Sequence, residues 1–94
     1  MKAFVLSGSL RDALRKCMSK STSSPRFIIK GADVMVTSGT QKPIRIEGLP
    51  QEPGWGYLEY DRAERVIKLL DIFPDRWLTF SYDGRRFVFT DLTF

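Results

Sequence analysis

One order of secondary-structure signals occurs twice along this chain. Residues 1–47 contain a short apolar strand, an amphipathic helix and further strands, and residues 57–94 contain strand, helix, strand and strand at a nearly constant offset. Residue identities are not repeated, so the pattern predicts a repeat of architecture, two tandem β-α-β-β(-β) units with pseudo-two-fold symmetry. We therefore expect an α+β fold, with an antiparallel sheet that carries both helices on one face.

The first helix is predicted over residues 10–19. Its apolar residues recur at the i, i+3, i+4, i+7 and i+8 positions, the spacing of one buried helical face. Cys17 belongs to this face, so we expect a core thiol and not a nucleophile. Ser7 or Ser9, just before the helix, is expected to cap it with a hydroxyl oxygen.

The second helix is predicted from Ala63 to Phe73, where Pro74 is expected to stop it. Leu14 of the first helix and Ile67 of the second are expected to occupy matching core positions. After the second helix, Asp83-Gly84 separates two apolar runs and predicts a two-residue type I′ hairpin turn.

The two units are expected to form a single domain, residues 1–94, because the chain is too short for two ordinary domains. Residues 48–56 are rich in glycine and proline and are interpreted as the linker between the units. Strands are predicted on both sides of this linker, over residues 44–47 and 57–60. Trp55 lies within the linker, either as an exposed anchor for a protein partner or as a plug folded back over the core.

Composition excludes several kinds of site. The chain has no histidine and one cysteine, so histidine-based acid–base catalysis, Cys-His chemistry and most zinc sites are excluded. Asp61 and Glu64 are expected to cap the second helix, and Asp33 and Asp83 lie in predicted turns. No carboxylate is marked as half of an acid–base pair. We therefore expect a protein that is not an enzyme, without cofactor or metal. No apolar run approaches the length of a membrane span, which predicts a cytoplasmic protein without membrane contact.

Basic residues recur on the polar faces of both predicted helices. The net charge is +4, which permits an acidic partner. Solvated helix faces are the ordinary explanation for such charges, but two basic helices from matched units would lie side by side and contact phosphates without reading sequence. The candidate nucleic-acid-binding residues are Arg11, Arg15, Lys16, Lys20, Arg62, Arg65 and Lys68.

Six aromatic residues lie mostly at strand positions that are predicted to face a core. They are Phe4, Phe27, Trp77, Phe80, Phe87 and Phe89. A base-stacking platform for single strands needs rings exposed on a sheet face, and the sequence motif of the common RNA-binding sheet domain is absent.

The order and spacing of the two units resemble one domain of the DNA sliding clamps, the ring-shaped processivity factors of replicative polymerases. The resemblance covers nearly the whole chain. It is strongest over residues 66–75, which run from a helix through Pro-Asp towards the hairpin of residues 78–84. Residues 10–14, which follow a short strand, resemble the matching first helix.

The resemblance implies a non-catalytic, clamp-like module in which the basic helix faces contact duplex DNA. Clamp chains join two or three such domains, so a ring of this chain would need a homo-oligomer, joined through unpaired edge strands. The alternative is a small protein-interaction module or a regulatory or inhibitory module that binds a protein partner through a sheet edge or through the Trp55 segment.

Overall fold

Eight strands and two helices follow one another along the part of the chain that the computed structural model describes, residues 1–72 and 75–91. They are, in chain order, β1 (Lys2–Leu6), α1 (Ser7–Ser19), β2 (Arg26–Lys30), β3 (Asp33–Thr37), β4 (Ile44–Arg45), β5 (Gly48–Glu52), β6 (Gly54–Tyr57), α2 (Tyr60–Ile72), β7 (Trp77–Tyr82) and β8 (Phe87–Asp91). The predicted α+β class is confirmed. The predicted end of the second helix, at Phe73 and Pro74, lies outside the described residues.

The strands form two antiparallel sheets, which differs from the single sheet expected. Sheet A has the strand order β5-β1-β7-β8, and sheet B has the order β4-β3-β2-β6. Helix α1 packs against β1 of sheet A, against β3 and β4 of sheet B, and against α2. The first helix therefore contacts both sheets, where the sequence predicted two helices on one face of one sheet.

Each sheet combines strands from both predicted units. In sheet A, β1 pairs with β7, and Ala3 lies opposite Phe80. In sheet B, β2 pairs with β6, and Phe27 lies opposite Gly56. In the repeat, β1 of the first unit corresponds to β6 of the second, β2 to β7, and β3 to β8. The order β1-β7-β8 in sheet A therefore corresponds to β6-β2-β3, which is the order found in sheet B. This strand order fits a repeat of architecture, whereas a two-fold relation in space stays a prediction.

The Gly/Pro segment 48–56 forms the edge strands β5 and most of β6, in place of an irregular linker. Its glycines lie where another part of the chain approaches closely. A Cβ on Gly48 would lie 2.3 Å from the carbonyl oxygen of Phe4, and one on Gly56 would lie 2.5 Å from the ring of Tyr82. These two glycines are therefore strand residues required by packing, although glycine in a sequence usually indicates a loop.

The strands predicted on both sides of that segment are shorter than expected. Of residues 44–47, only Ile44–Arg45 forms a strand, and of residues 57–60, only Tyr57 belongs to β6. Tyr60 already begins α2. Between them, the amide of Leu58 donates to the carbonyl of Pro25 over 2.9 Å, which keeps the end of β6 beside the start of β2.

One hydrophobic core combines side chains from both sheets and both helices. Three rings meet in it: the centroid of Phe27 lies 5.2 Å from that of Phe80 and 5.3 Å from that of Phe87. Cys17 of α1 is fully buried, and its thiol contacts the carbonyl of Val36 at 3.6 Å. Burial raises the pKa of the Cys17 thiol. The prediction of a core thiol is thus confirmed.

The first turn of α1 is capped by the side chain of Asp75, which is far from α1 in the sequence. The amide of Gly8 donates to Asp75 Oδ1 over 2.7 Å, and the Ser7 hydroxyl donates to the same oxygen over 3.1 Å. Ser9 accepts instead from the amide of Glu47. The prediction that Ser7 or Ser9 caps the helix is therefore wrong, because a carboxylate beyond α2 supplies the acceptor for the free helical amide.

The β7–β8 hairpin has a four-residue loop, residues 83–86, because Tyr82 and Phe87 form its last cross-strand pair. Gly84 has a φ of 98°, whereas no non-glycine residue in the described ranges has a positive φ. The predicted type I′ turn is therefore wrong, since it needs positive φ at Asp83 as well. Instead, Asp83 Oδ1 accepts from the amides of Arg85 and Arg86 over 2.8 and 3.0 Å.

The two positions predicted to match in the core differ in burial, since Leu14 is fully buried and Ile67 is partly buried. We expect Leu14→Ala to lower the free energy of unfolding by about 2–5 kcal/mol, because it leaves a cavity in close-packed surroundings. Ile67→Ala should cost about 2 kcal/mol or less, since less apolar area returns to water. Urea unfolding of both variants measures the difference; equal losses would contradict it.

The hairpin loop should make stability depend on acidic pH. Hydrogen bonds from the Arg86 amide, and then from the Arg85 amide, lower the pKa of Asp83. A carboxylate with a lowered folded-state pKa stabilises the fold above its unfolded pKa of about 3.9, and this contribution is lost as the pH falls through the folded value. Asp83→Asn keeps an acceptor oxygen but does not titrate. Compared with this variant, the natural chain should lose stability below about pH 4, as measured by urea midpoints; parallel pH profiles would contradict the prediction.

Candidate nucleic-acid and partner interfaces

Helices α1 and α2 pack side by side, and ion pairs cross between them. Asp71 of α2 accepts from Arg15 of α1, and its other oxygen lies 3.7 Å from Arg11 Nε. Arg11 also lies 3.2 Å from Asp12 Oδ1. Both arginines that α1 turns towards α2 therefore have carboxylate partners. These pairs are invisible in the local sequence, because Asp71 belongs to the other helix.

The cations predicted on α2 have exposed side chains without such partners. Arg62, Arg65 and Lys68 form no ion pair with any residue in the described ranges. On α1, Lys16 is exposed, and with Arg11 it lines a depression beside β4 that Arg45 and Glu47 also border. The structure thus pairs Arg11 and Arg15 with Asp71 of α2, and places Lys16 beside β4.

We call the exposed side of the two helices the helix surface. Residues 7–20 and 60–72 contain seven cations and four anions, a surplus of three positive charges. The cations are the seven predicted residues: Arg11, Arg15, Lys16, Lys20, Arg62, Arg65 and Lys68. The anions are Asp12, Asp61, Glu64 and Asp71. The helix surface is basic, but less so than a count of its arginines and lysines indicates.

Trp55 lies on edge strand β6, with 62% of its surface exposed. The structure has Trp55 exposed and not folded back over the core as a plug, although within a strand and not a linker. Its role as an anchor for a protein partner stays a prediction. Its ring meets that of Tyr57, which is 55% exposed, edge to face at a centroid distance of 5.8 Å. The sequence signal for this exposed pair is the alternation of glycine and aromatic residues over 54–57. Residues two apart in a strand lie on the same face of the sheet, so both rings lie on the outer face.

The register of sheet B arranges residues around these rings in rows. One row runs from Trp55 through Ile28 and Met35 to Arg45. A second row runs Tyr57, Arg26, Thr37, and a third pairs Lys30 with Asp33. We call this outer side of sheet B the Trp55 face. Its members are Arg26, Ile28, Lys30, Asp33, Met35, Arg45, Trp55 and Tyr57.

A surface depression of about 500 Å³ borders the Trp55 face where β6 meets sheet A. Trp55 and Val88 form apolar parts of its wall, and Lys2 and Arg86 contribute cations. Met1 precedes β1 of sheet A, and its amino group donates to the carbonyl of Tyr82 in β7 of the same sheet over 3.2 Å. The two sheets approach each other here, since a Cβ on Gly54 of β6 would lie 3.2 Å from the Cβ of Met1. Trp55 therefore stands at the seam between the sheets.

The outer face of sheet A carries apolar side chains that the sequence assigned to the core. Phe4 pairs with Leu49 and Thr79, and Leu6 pairs with Trp77. Trp77 is 41% exposed and Phe4 is half-buried, whereas Phe27, Phe80 and Phe87 are buried. The core prediction is therefore wrong for Trp77. The cause is strand parity, because Trp77 and Phe80 lie an odd number of residues apart and so face opposite sides.

Among residues 1–72 and 75–91, no group of three or more metal-ligating side chains comes together. Neither helix in these ranges combines the length and apolar character that a membrane span requires.

No protein-family model matches the sequence, and no curated protein matches it either.

Proposed function

We propose that this protein is a non-catalytic, DNA-associated module, similar to a sliding-clamp domain, which contacts duplex phosphates through the helix surface. The observation that carries the proposal is the side-by-side packing of α1 and α2, which brings exposed cations of both helices to one surface where they can meet one ligand. Asp71 bridges the two helices there by pairing with Arg11 and Arg15. The corresponding strand orders of the two sheets, β1-β7-β8 and β6-β2-β3, support the likeness to a clamp domain.

Contact through arginine and lysine side chains to phosphates does not read the base sequence. In this proposal Arg62, Arg65 and Lys68 contribute most, because they have no ion-pair partner among the described residues. Arg11 and Arg15 contribute less, because Asp71 competes with phosphate for them. Binding is therefore weak and depends steeply on salt. A cytoplasmic location, where such DNA is accessible, belongs to the same proposal.

Asp71→Asn provides the sharpest test of this interface. The substitution should release Arg15 and leave Arg11 with Asp12 as its remaining carboxylate partner. It should therefore raise the affinity for duplex DNA, and steepen the slope of log affinity against log salt by about 0.9 for each added phosphate contact. The protein should remain folded, since exposed ion pairs contribute at most about 1 kcal/mol. The assay is fluorescence anisotropy over a salt series, with closed circular DNA as competitor beside linear fragments.

The matched control is Asp33→Asn, which makes the same change in net charge on the Trp55 face, where Asp33 lies 3.7 Å from Arg45. Its effect on duplex binding should be small. If both variants strengthen binding equally, net charge alone determines affinity and the helix surface is not the interface. Absence of binding to either DNA form at low salt would overturn the proposed function.

The alternative is a protein-interaction module, which one observation favours. Strand β6 is an edge of sheet B, and it carries two exposed aromatic side chains, Trp55 and Tyr57. An unpaired strand edge can accept a partner's strand through backbone hydrogen bonds, while exposed rings anchor the partner's side chains.

Solution mass separates the two proposals. The chain has a mass of 10.8 kDa, and a closed clamp-like ring requires roughly six copies. Light scattering after gel filtration, with and without circular DNA, measures the state. A ring-sized species that forms with DNA is the expected result for a clamp. A monomer or dimer under all conditions favours the protein-interaction module.

A further inference from the structure

We propose that the Trp55 face binds single-stranded nucleic acid by stacking bases on Trp55 and Tyr57. This site is separate from the helix surface, and its ligand is a different form of nucleic acid. Flat aromatic rings exposed on a sheet, with cations beside them, are the elements that bind unpaired bases and their phosphates. The Trp55 face contains both elements within three adjacent rows of one sheet.

The rings are arranged to engage more than one base. Trp55 and Tyr57 lie two residues apart on β6, which separates their Cα atoms by roughly 6.5–7 Å along the strand. Their planes meet at 87°, so a base stacked on one ring is roughly perpendicular to the other. A strand bound here must therefore turn between successive bases, which single strands do readily and a duplex does not.

Two cations lie on β2, the strand that pairs with the strand carrying the rings. Arg26 is the cross-strand neighbour of Tyr57, and Lys30 lies four residues further along the same strand. Neither side chain has an ion-pair partner within residues 1–72 and 75–91. Asp33 is the anion of this face, and it lies 3.7 Å from Arg45. The face thus has three cations and one anion, which complements a phosphate backbone.

Single-stranded nucleic acid fits these features better than duplex or peptide. In a duplex the base faces are stacked on one another, so they are unavailable to Trp55 and Tyr57. An acidic peptide would satisfy Arg26 and Lys30, but its carboxylates offer no flat surface to the exposed rings. Bases and phosphates together account for both the rings and the unpartnered cations.

Trp55 itself can report the binding. The chain has two tryptophans, so Trp77→Phe leaves Trp55 as the only indole. Addition of thymidine or uridine oligonucleotides of about 12 nucleotides should quench its fluorescence, because stacked bases contact the ring. The matched variant Trp55→Phe, which keeps Trp77 on sheet A, should show no quenching. Comparison of the two oligonucleotides distinguishes DNA from RNA as the source of the single strand.

Substitutions then separate stacking from charge. Trp55→Ala should raise Kd for the oligonucleotide about 5- to 150-fold, the measured range for loss of one stacked base. Arg26→Gln and Lys30→Gln should each reduce the log–log salt slope by about 0.7, the value for single strands. Lys68→Gln on the helix surface should leave this binding unchanged. Circular dichroism melts verify that each variant is folded.

Three results would overturn the proposal. One is an unquenched Trp55 at saturating oligonucleotide. Another is an oligoglutamate of similar charge that competes as strongly as the oligonucleotide. Binding would then not depend on stacking against the rings, and the face would bind acidic peptide. The third is equal loss of binding in Lys68→Gln and Trp55→Ala, which would assign the single strand to the helix surface. Absence of duplex binding would overturn the proposed function of the helix surface, but it would not decide any of these three tests of the Trp55 face.

Discussion

The fold depends on backbone pairing between strands that are far apart in sequence. Strand β1 has β7 as its neighbour, and β2 has β6, so neither predicted unit has a complete sheet of its own. Helix α1 follows a strand of sheet A and α2 follows a strand of sheet B, and the two helices meet against a shared core. Because backbone N–H and C=O groups in a sheet interior must be paired, each half satisfies the hydrogen bonds of the other.

The second half of the chain also determines the electrostatics of the first helix. Asp75 accepts from the amide of Gly8 at the start of α1, and Asp71 pairs with Arg11 and Arg15 further along it. These carboxylates stabilise the helix and reduce the charge that it offers to a ligand. What remains are two surfaces of different chemistry: a surplus of cations over anions on the helices, and cations beside exposed rings on sheet B.

Sequence periodicity predicted the elements well where one face is buried. Both helices and the β7–β8 hairpin follow from it, and Cys17 was correctly assigned to the core. It failed over residues 48–57, because Gly48 and Gly56 serve close contacts with distant segments and resemble loop residues locally. The same limit applies to the candidate sites. The seven cations were identified from the sequence, but their partner Asp71, and the rows that join Trp55 to Arg26 and Ile28, depend on packing and register.

The pairing of β1 with β7 has a consequence for synthesis of the chain on the ribosome. Leu6 cannot meet Trp77 until roughly 70 further residues have been added, which at 5–20 residues per second takes about 4–14 seconds. During that interval β1 can pair with β5 but presents its other edge to the cell, and Phe4 and Val5 are uncovered. Long-range antiparallel pairing is also slow in the complete chain, since the loop must close before any contact is gained. A nascent chain of this design therefore has an extended period in which strand edges are open to chaperones, or to other copies of itself.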